Sequence, residues 1–180
     1  MPGEPPRGTR VLATPDGRQL EVLAAGPEDG LPLIFHNGTP GGLVAFPAMA
    51  AAAAERGLRT VMYARPGYGG STGQPGRRIA DAAADITAVL AEVGAQQFVT
   101  VGWSGGGPHA LACAALLPGR CLAAASLAGV APARAAGLDW TAGMGPENVT
   151  EFKRPGRGKP RSPRSSRRPR PDSGRSPATR

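Results

Sequence analysis

The chain has 180 residues and a net charge of +8, a length that suits one modest domain. Divided along the chain, residues 1–152 hold 10 Lys/Arg and 12 Asp/Glu (−2), while residues 153–180 hold 11 Lys/Arg and only Asp172 (+10). The basicity therefore belongs to the tail and is no reason to read the rest as a nucleic-acid binder. The opening Met1-Pro2-Gly3-Glu4-Pro5-Pro6-Arg7-Gly8 lacks an apolar signal segment, and the softest apolar run, Leu43–Ala54, is too short for a bilayer. A cytoplasmic location without membrane contact is the expectation.

Thr9–Thr14 and Gln19–Ala24 flank Pro15-Asp16-Gly17-Arg18, whose Asp-Gly pair predicts an antiparallel hairpin. Leu31–Phe35 is continuously apolar, as a strand covered on both faces should be. It runs into the polar loop His36-Asn37-Gly38-Thr39-Pro40-Gly41-Gly42. A helix follows from Pro47 to about Arg56, with proline in a first turn that does not need its N–H. Arg59–Tyr63 is a fourth strand, leading to Ala64-Arg65-Pro66-Gly67-Tyr68-Gly69-Gly70-Ser71. Ile79–Val93 reads as a helix with Ile79, Ala83, Ile86, Val89, Leu90 and Val93 on one stripe, stopped by Gly94. Phe98–Val101 is the fifth strand, Pro108–Leu117 the next helix, and Cys121–Val130 a sixth strand. A hairpin followed by alternating strands and helices predicts an α/β fold, a mostly parallel sheet with helices on both faces.

Beyond the sixth strand the pattern blurs. Leu138, Trp140, Met144, Val149 and Phe152 are scattered among small residues, as at the start of a helical cap. Residues 153–180 change character, with 11 basic residues, 6 prolines and 5 serines, and Ala178 as the sole aliphatic side chain. Such a segment buries too little apolar surface to offset its ordering entropy and is expected to be disordered. The expected organisation is a folded part over 1–152 and an Arg/Pro/Ser-rich tail over 153–180. Cys113 and Cys121, in an apolar helix and an apolar strand, are expected to be buried free thiols. No cofactor or metal site is implied.

Chemistry concentrates where the fifth strand ends, at Gly102-Trp103-Ser104-Gly105-Gly106. This Gly-x-Ser-x-Gly pattern stands between strand and helix, the context that makes it a nucleophile turn. The turn holds its serine in a strained conformation at the apex. Flanking glycines are needed because a Cβ there would strike neighbouring backbone. The N–H of Gly105 would face an oxyanion formed on Ser104.

With three loops in this order, the chain resembles the α/β-hydrolase fold superfamily of esterases, lipases and peptidases, from about Thr9 to about Pro132. His36–Gly42 resembles the family's oxyanion loop, with Asn37 inserted between His36 and Gly38. Arg65–Ser71 resembles the loop after its fourth strand, with Ala64 where aspartate is common. Gly102–Gly106 is the nucleophile elbow. The resemblance implies a serine hydrolase acting on a small ester, amide or related carbonyl substrate. Ser104 would be its nucleophile, and the amides of Gly105 and Thr39 its oxyanion hole. Gly38, Tyr68 and Trp103 are weaker pocket candidates, and His36 is expected to be structural, fixing its own loop.

The resemblance also implies an acid after a seventh strand and a histidine after an eighth, and the chain reads as lacking both strands. Its two histidines are His36 and His109. His109 lies five residues past Ser104 and should point along its helix rather than across the sheet. Asp139 is the nearest plausible acid, and a solvated aspartate is the simpler reading of it. The composition break at Phe152–Lys153 is what GC-rich DNA read in another frame would produce, so a frameshifted or truncated, barely active hydrolase is expected. Its sixth strand would be a bare apolar edge inviting self-association.

An alternative is a non-catalytic protein whose basic tail binds nucleic acid or acidic surfaces non-specifically. The tail holds no aromatic residue for stacking on bases, so sequence-specific binding is not expected. A nucleotide-binding reading of Gly67-Tyr68-Gly69-Gly70 and Gly105-Gly106-Gly107 fails, because neither has the spacing of a phosphate-binding loop.

Overall fold

The Asp16-Gly17 turn folds β1 (Arg10–Ala13) antiparallel onto β2 (Gln19–Ala25), with Leu12 opposite Leu20. In the computed structural model, which describes residues 5–132 and 135–153, four further strands complete one sheet. They are β3 (Leu31–His36), β4 (Leu58–Tyr63), β5 (Phe98–Trp103) and β6 (Cys121–Leu127). The order across the sheet is β1-β2-β4-β3-β5-β6. β2 pairs β4 antiparallel, and the β4-β3-β5-β6 half is parallel throughout. The expected α/β-hydrolase-like sheet, hairpin first and parallel strands after, is thus present. Among the described residues it has six strands, and a seventh and eighth are not among them.

Helices cover both faces. α1 (Pro47–Ala54) begins with its proline in the first turn and packs on β4 through buried Ala53. α2 (Ala82–Glu92) and α3 (Gly107–Leu116) pack together on the other face. There Leu20, Val22, Ile34, Val61, Tyr63 and Phe98 from the sheet meet Ala82, Ile86, Val89, Leu90 and Cys113 from the helices. Burying Ile86, Val89 and Leu90 contributes about 1.5–3 kcal/mol each. The stripe on α2 differs from expectation at its start, since Ile79 is half exposed and Ala82 is buried in its place. The cause is a 3₁₀ turn over Ile79–Asp81, where the Asp81 carboxylate accepts from the Arg78 N–H and shifts the helical phase.

Asp85 is the polar member of that buried stripe. Its carboxylate meets Arg18 Nη2 at 2.9 Å and Arg77 Nη2 at 2.5 Å, with its own side chain fully buried. One helical acid thereby holds the hairpin turn and the loop before α2 against the helix layer.

β6 closes one edge of the sheet and is exposed along nearly its whole length, with Leu122 and Leu127 each 54% exposed. This corrects one expectation. Cys113 is buried, but Cys121, heading the edge strand, is only half-buried; both thiols are free.

The described residues divide into two units between Ala142 and Gly143. Within the second, α4 (Pro146–Lys153) is described. Of the tail expected over 153–180 only Lys153 is described, as the last residue of α4; the expected disorder and nucleic-acid contacts of the rest lie outside the described residues. No described helix is long and apolar enough to cross a membrane.

Candidate functional site

β3 and β5 are neighbours, with His36 in register with Gly102, so the loops leaving their C-terminal ends emerge side by side. Past Trp103 the chain turns sharply. Ser104 has φ +52°, a left-handed conformation that costs an L-residue about 1–2 kcal/mol. Ser104–Gly106 form a 3₁₀ turn that feeds α3. Close approach dictates the glycines around it. A Cβ on Gly102 would stand 2.2 Å from Gly106 O, and one on Gly105 would stand 2.5 Å from Thr39 Oγ1 and 3.2 Å from Thr39 N. On the facing loop, a Cβ on Gly38 would be 3.4 Å from Ser104 Cβ and 3.9 Å from Ser104 Oγ. The structure therefore brings Gly38, Thr39, Ser104 and Gly105 together at one end of the parallel strands.

Arg65 braces this assembly from the loop after β4. Its guanidinium donates to Asn37 O, to Gly38 O at 3.0 Å and to Thr39 Oγ1 at 2.9 Å. Asn37 Nδ2 closes the same loop by donating to Gly42 O at 3.1 Å. The ring of Tyr68, one of the weaker pocket candidates, lies 5.4 Å from the Arg65 guanidinium. Sequence reasoning took Arg65 only as part of a loop pattern. Its place directly after β4, beside the loop of β3, was the available signal.

Both histidines are engaged on the inner side. His36 is fully buried, with Nδ1 3.3 Å from Tyr63 Oη and Nε2 3.9 Å from Cys113 Sγ. It is structural as expected, yet its side chain anchors to the core rather than to its own loop. Burial, reinforced by His109 and Arg65, lowers its pKa to about 3. His109 donates from Nδ1 to Gly105 O at 3.0 Å and stacks on His36 with ring centroids 6.2 Å apart. Burial and Arg65 lower its pKa to about 4, so its ring is neutral at pH 7. Asp139 is exposed and accepts from Thr141 N and Oγ1, both at 3.0 Å, closing its own turn.

Trp103 is half exposed and lines an open apolar groove of about 540 Å³ with Phe35, Phe46, Met49 and Leu127. Tyr68 is not among the groove residues.

The sequence profile of the alpha/beta hydrolase fold matches residues 32–157. The chain belongs to the alpha/beta hydrolase fold family. A non-heme chloroperoxidase from Streptomyces lividans is 32% identical to this hydrolase-fold chain over 125 residues, covering 68% of the chain and 45% of that protein. Among solved structures, an esterase from Rhodococcus matches at 25% identity with a TM-score of 0.58, over 68% of this chain and 46% of its own. An epoxide hydrolase from hot-environment metagenomes matches at 27% identity with a TM-score of 0.57, over 70% and 43%. This alpha/beta hydrolase chain thus spans less than half the length of each of these relatives.

Proposed function

We propose that this chain carries the nucleophile and the oxyanion donors of an acyl-transfer hydrolase acting on a small ester, amide or related carbonyl compound. Ser104 is the nucleophile, and the N–H groups of Gly105 and Thr39 are the donors. The observation that carries the reading is Ser104 held at φ +52° directly beside the Gly38–Thr39 loop. A strained serine is kept where its oxygen can meet a substrate. Among the chemistries named for the relatives, ester hydrolysis is the one a serine hydroxyl performs by becoming acylated.

In this mechanism Ser104 Oγ attacks the carbonyl carbon. The developing oxyanion is met by two main-chain donors, each worth about 3–4 kcal/mol in the transition state. The Ser104 proton passes to water, the leaving group departs with a proton taken from water, and a water then hydrolyses the acyl-serine, releasing the acid and restoring the Ser104 hydroxyl. A serine hydroxyl also needs a base to take its proton. The described contacts of both histidines lie elsewhere, with Tyr63 and Cys113 for His36 and with Gly105 O for His109. Turnover by this chain is accordingly residual.

A fluorophosphonate probe tests both parts. Slow labelling that disappears in Ser104→Ala is the expected result. Labelling unchanged by Ser104→Ala overturns the nucleophile assignment, and labelling within seconds overturns the residual-turnover reading.

A further inference from the structure

We propose that Arg65 is a positioning residue for the oxyanion donor on Thr39, an inference that rests on the assignment of Ser104, Gly105 and Thr39 above. The Gly38 carbonyl and the Thr39 N–H belong to one planar peptide unit and point in opposite directions. Arg65 Nη2 donates to that Gly38 oxygen at 3.0 Å and to Thr39 Oγ1 at 2.9 Å, while Nη1 donates to Asn37 O. One rigid guanidinium fork therefore fixes two successive carbonyls and the side chain of the donor residue. Gripping the carbonyl sets the direction in which the Thr39 N–H points.

The grip has an electrostatic side as well. A charge-assisted hydrogen bond to a carbonyl is roughly twice as strong as a neutral one. It also polarises the peptide, making the N–H on its far side a better donor. Arg65 is 4% exposed, so water screens this effect little. Among the described residues no carboxylate pairs with Arg65, and the Tyr68 ring lies against the guanidinium. Among the described residues the charge is thus directed to the acceptors of the loop and to the Tyr68 ring. Lysine cannot reproduce the arrangement, because an ammonium is a point charge without the planar fork.

The test uses the full-length ¹⁵N-labelled chain, with p-nitrophenyl acetate as substrate. Arg65→Lys should keep its near-ultraviolet circular dichroism and KM while kcat falls on the order of tenfold, less than for outright loss of a donor. The Thr39 amide resonance should shift in the same variant. Arg65→Ala should fall further and recover in part with millimolar guanidinium but not with sodium. A folded Arg65→Lys with unchanged kcat and an unshifted Thr39 amide overturns the proposal. If Arg65→Ala does not fold, Arg65→Lys decides alone. If Ser104→Ala leaves ester turnover unchanged, the nucleophile assignment fails, and the Thr39 resonance still reports whether Arg65 controls that peptide.

Discussion

A Cβ placed on Gly106 would stand 2.0 Å from the carbonyl oxygen of His36. The end of β3 and the serine turn are packed main chain against main chain there, and backbone has no rotamer with which to yield. Gly106→Ala should therefore destabilise the fold by about 3 kcal/mol or more. Gly73→Ala, which meets nothing within 4 Å, should stay within about 0.5 kcal/mol. Urea midpoints of the two variants make the comparison; equal midpoints would show that the turn can open.

The left-handed serine gives a second expectation. Ser104→Gly should raise stability by ~0.5–1 kcal/mol, since glycine removes the strain but adds freedom to the unfolded chain. Ala128, at φ +48° just past β6, is the matching control. Ala128→Gly should gain as much while leaving fluorophosphonate labelling untouched, whereas Ser104→Gly loses it.

Asp85→Asn keeps the shape of the side chain and removes its charge. Arg77, its side chain 13% exposed, would then be a nearly buried cation without its carboxylate, and Arg18, 11% exposed, would keep only the exposed Asp16 at 2.7 Å. The expected loss is about 3–5 kcal/mol in thermal or urea unfolding. A loss near zero would mean that water reaches the cluster.

Stability should also depend on pH in a window set by the two histidines. Their folded pKa values, about 3 for His36 and about 4 for His109, lie below the ordinary 6.5. Between these limits the unfolded chain binds protons that the folded one refuses. Their contribution is complete above pH 6.5 and is lost progressively as pH falls toward 4 and then 3. Asp16, lowered to about 2 by Arg18 and Thr14, adds a further loss only below about pH 4. Urea midpoints measured from pH 7 to 4 should fall steadily, and His36→Gln should flatten the slope.

Among the described residues β6 is the outermost strand on its side of the sheet. Its seven residues are uncharged and include no proline or lysine to discourage pairing with another strand. We propose that copies of the chain associate through β6, so that the apparent mass of the full-length chain rises with concentration. Ala125→Lys should return it toward the monomer. A monomer at all concentrations in light scattering would refute the idea.

Local signals made most of the architecture legible. Asp16-Gly17 marked the hairpin, and Gly102–Gly106 between an apolar strand and an alanine-rich helix marked the serine turn. What the sequence hid were partnerships across long separations. Arg65 reaches residues 26–28 positions earlier, and Asp85 meets Arg18 across 67. An acid on a helix and an arginine in a loop look solvated until the chain folds back on them. Cys121 was read as buried from its apolar neighbours, although the same reading made its strand an edge, and an edge leaves the thiol half uncovered. His36 was assigned to its own loop because its partners, Tyr63 and Cys113, lie on separate elements.

The unequal surroundings of the two cysteines have a practical corollary. Burial pushes the Cys113 thiol up to about 12, while Cys121, more mildly raised, sits half uncovered at the rim. An alkylating reagent added to the native chain meets one sulfur, and the second becomes available only once α3 lifts from the sheet. Stoichiometry of modification thus doubles as an internal gauge of whether the helix layer is seated, without any engineered tag.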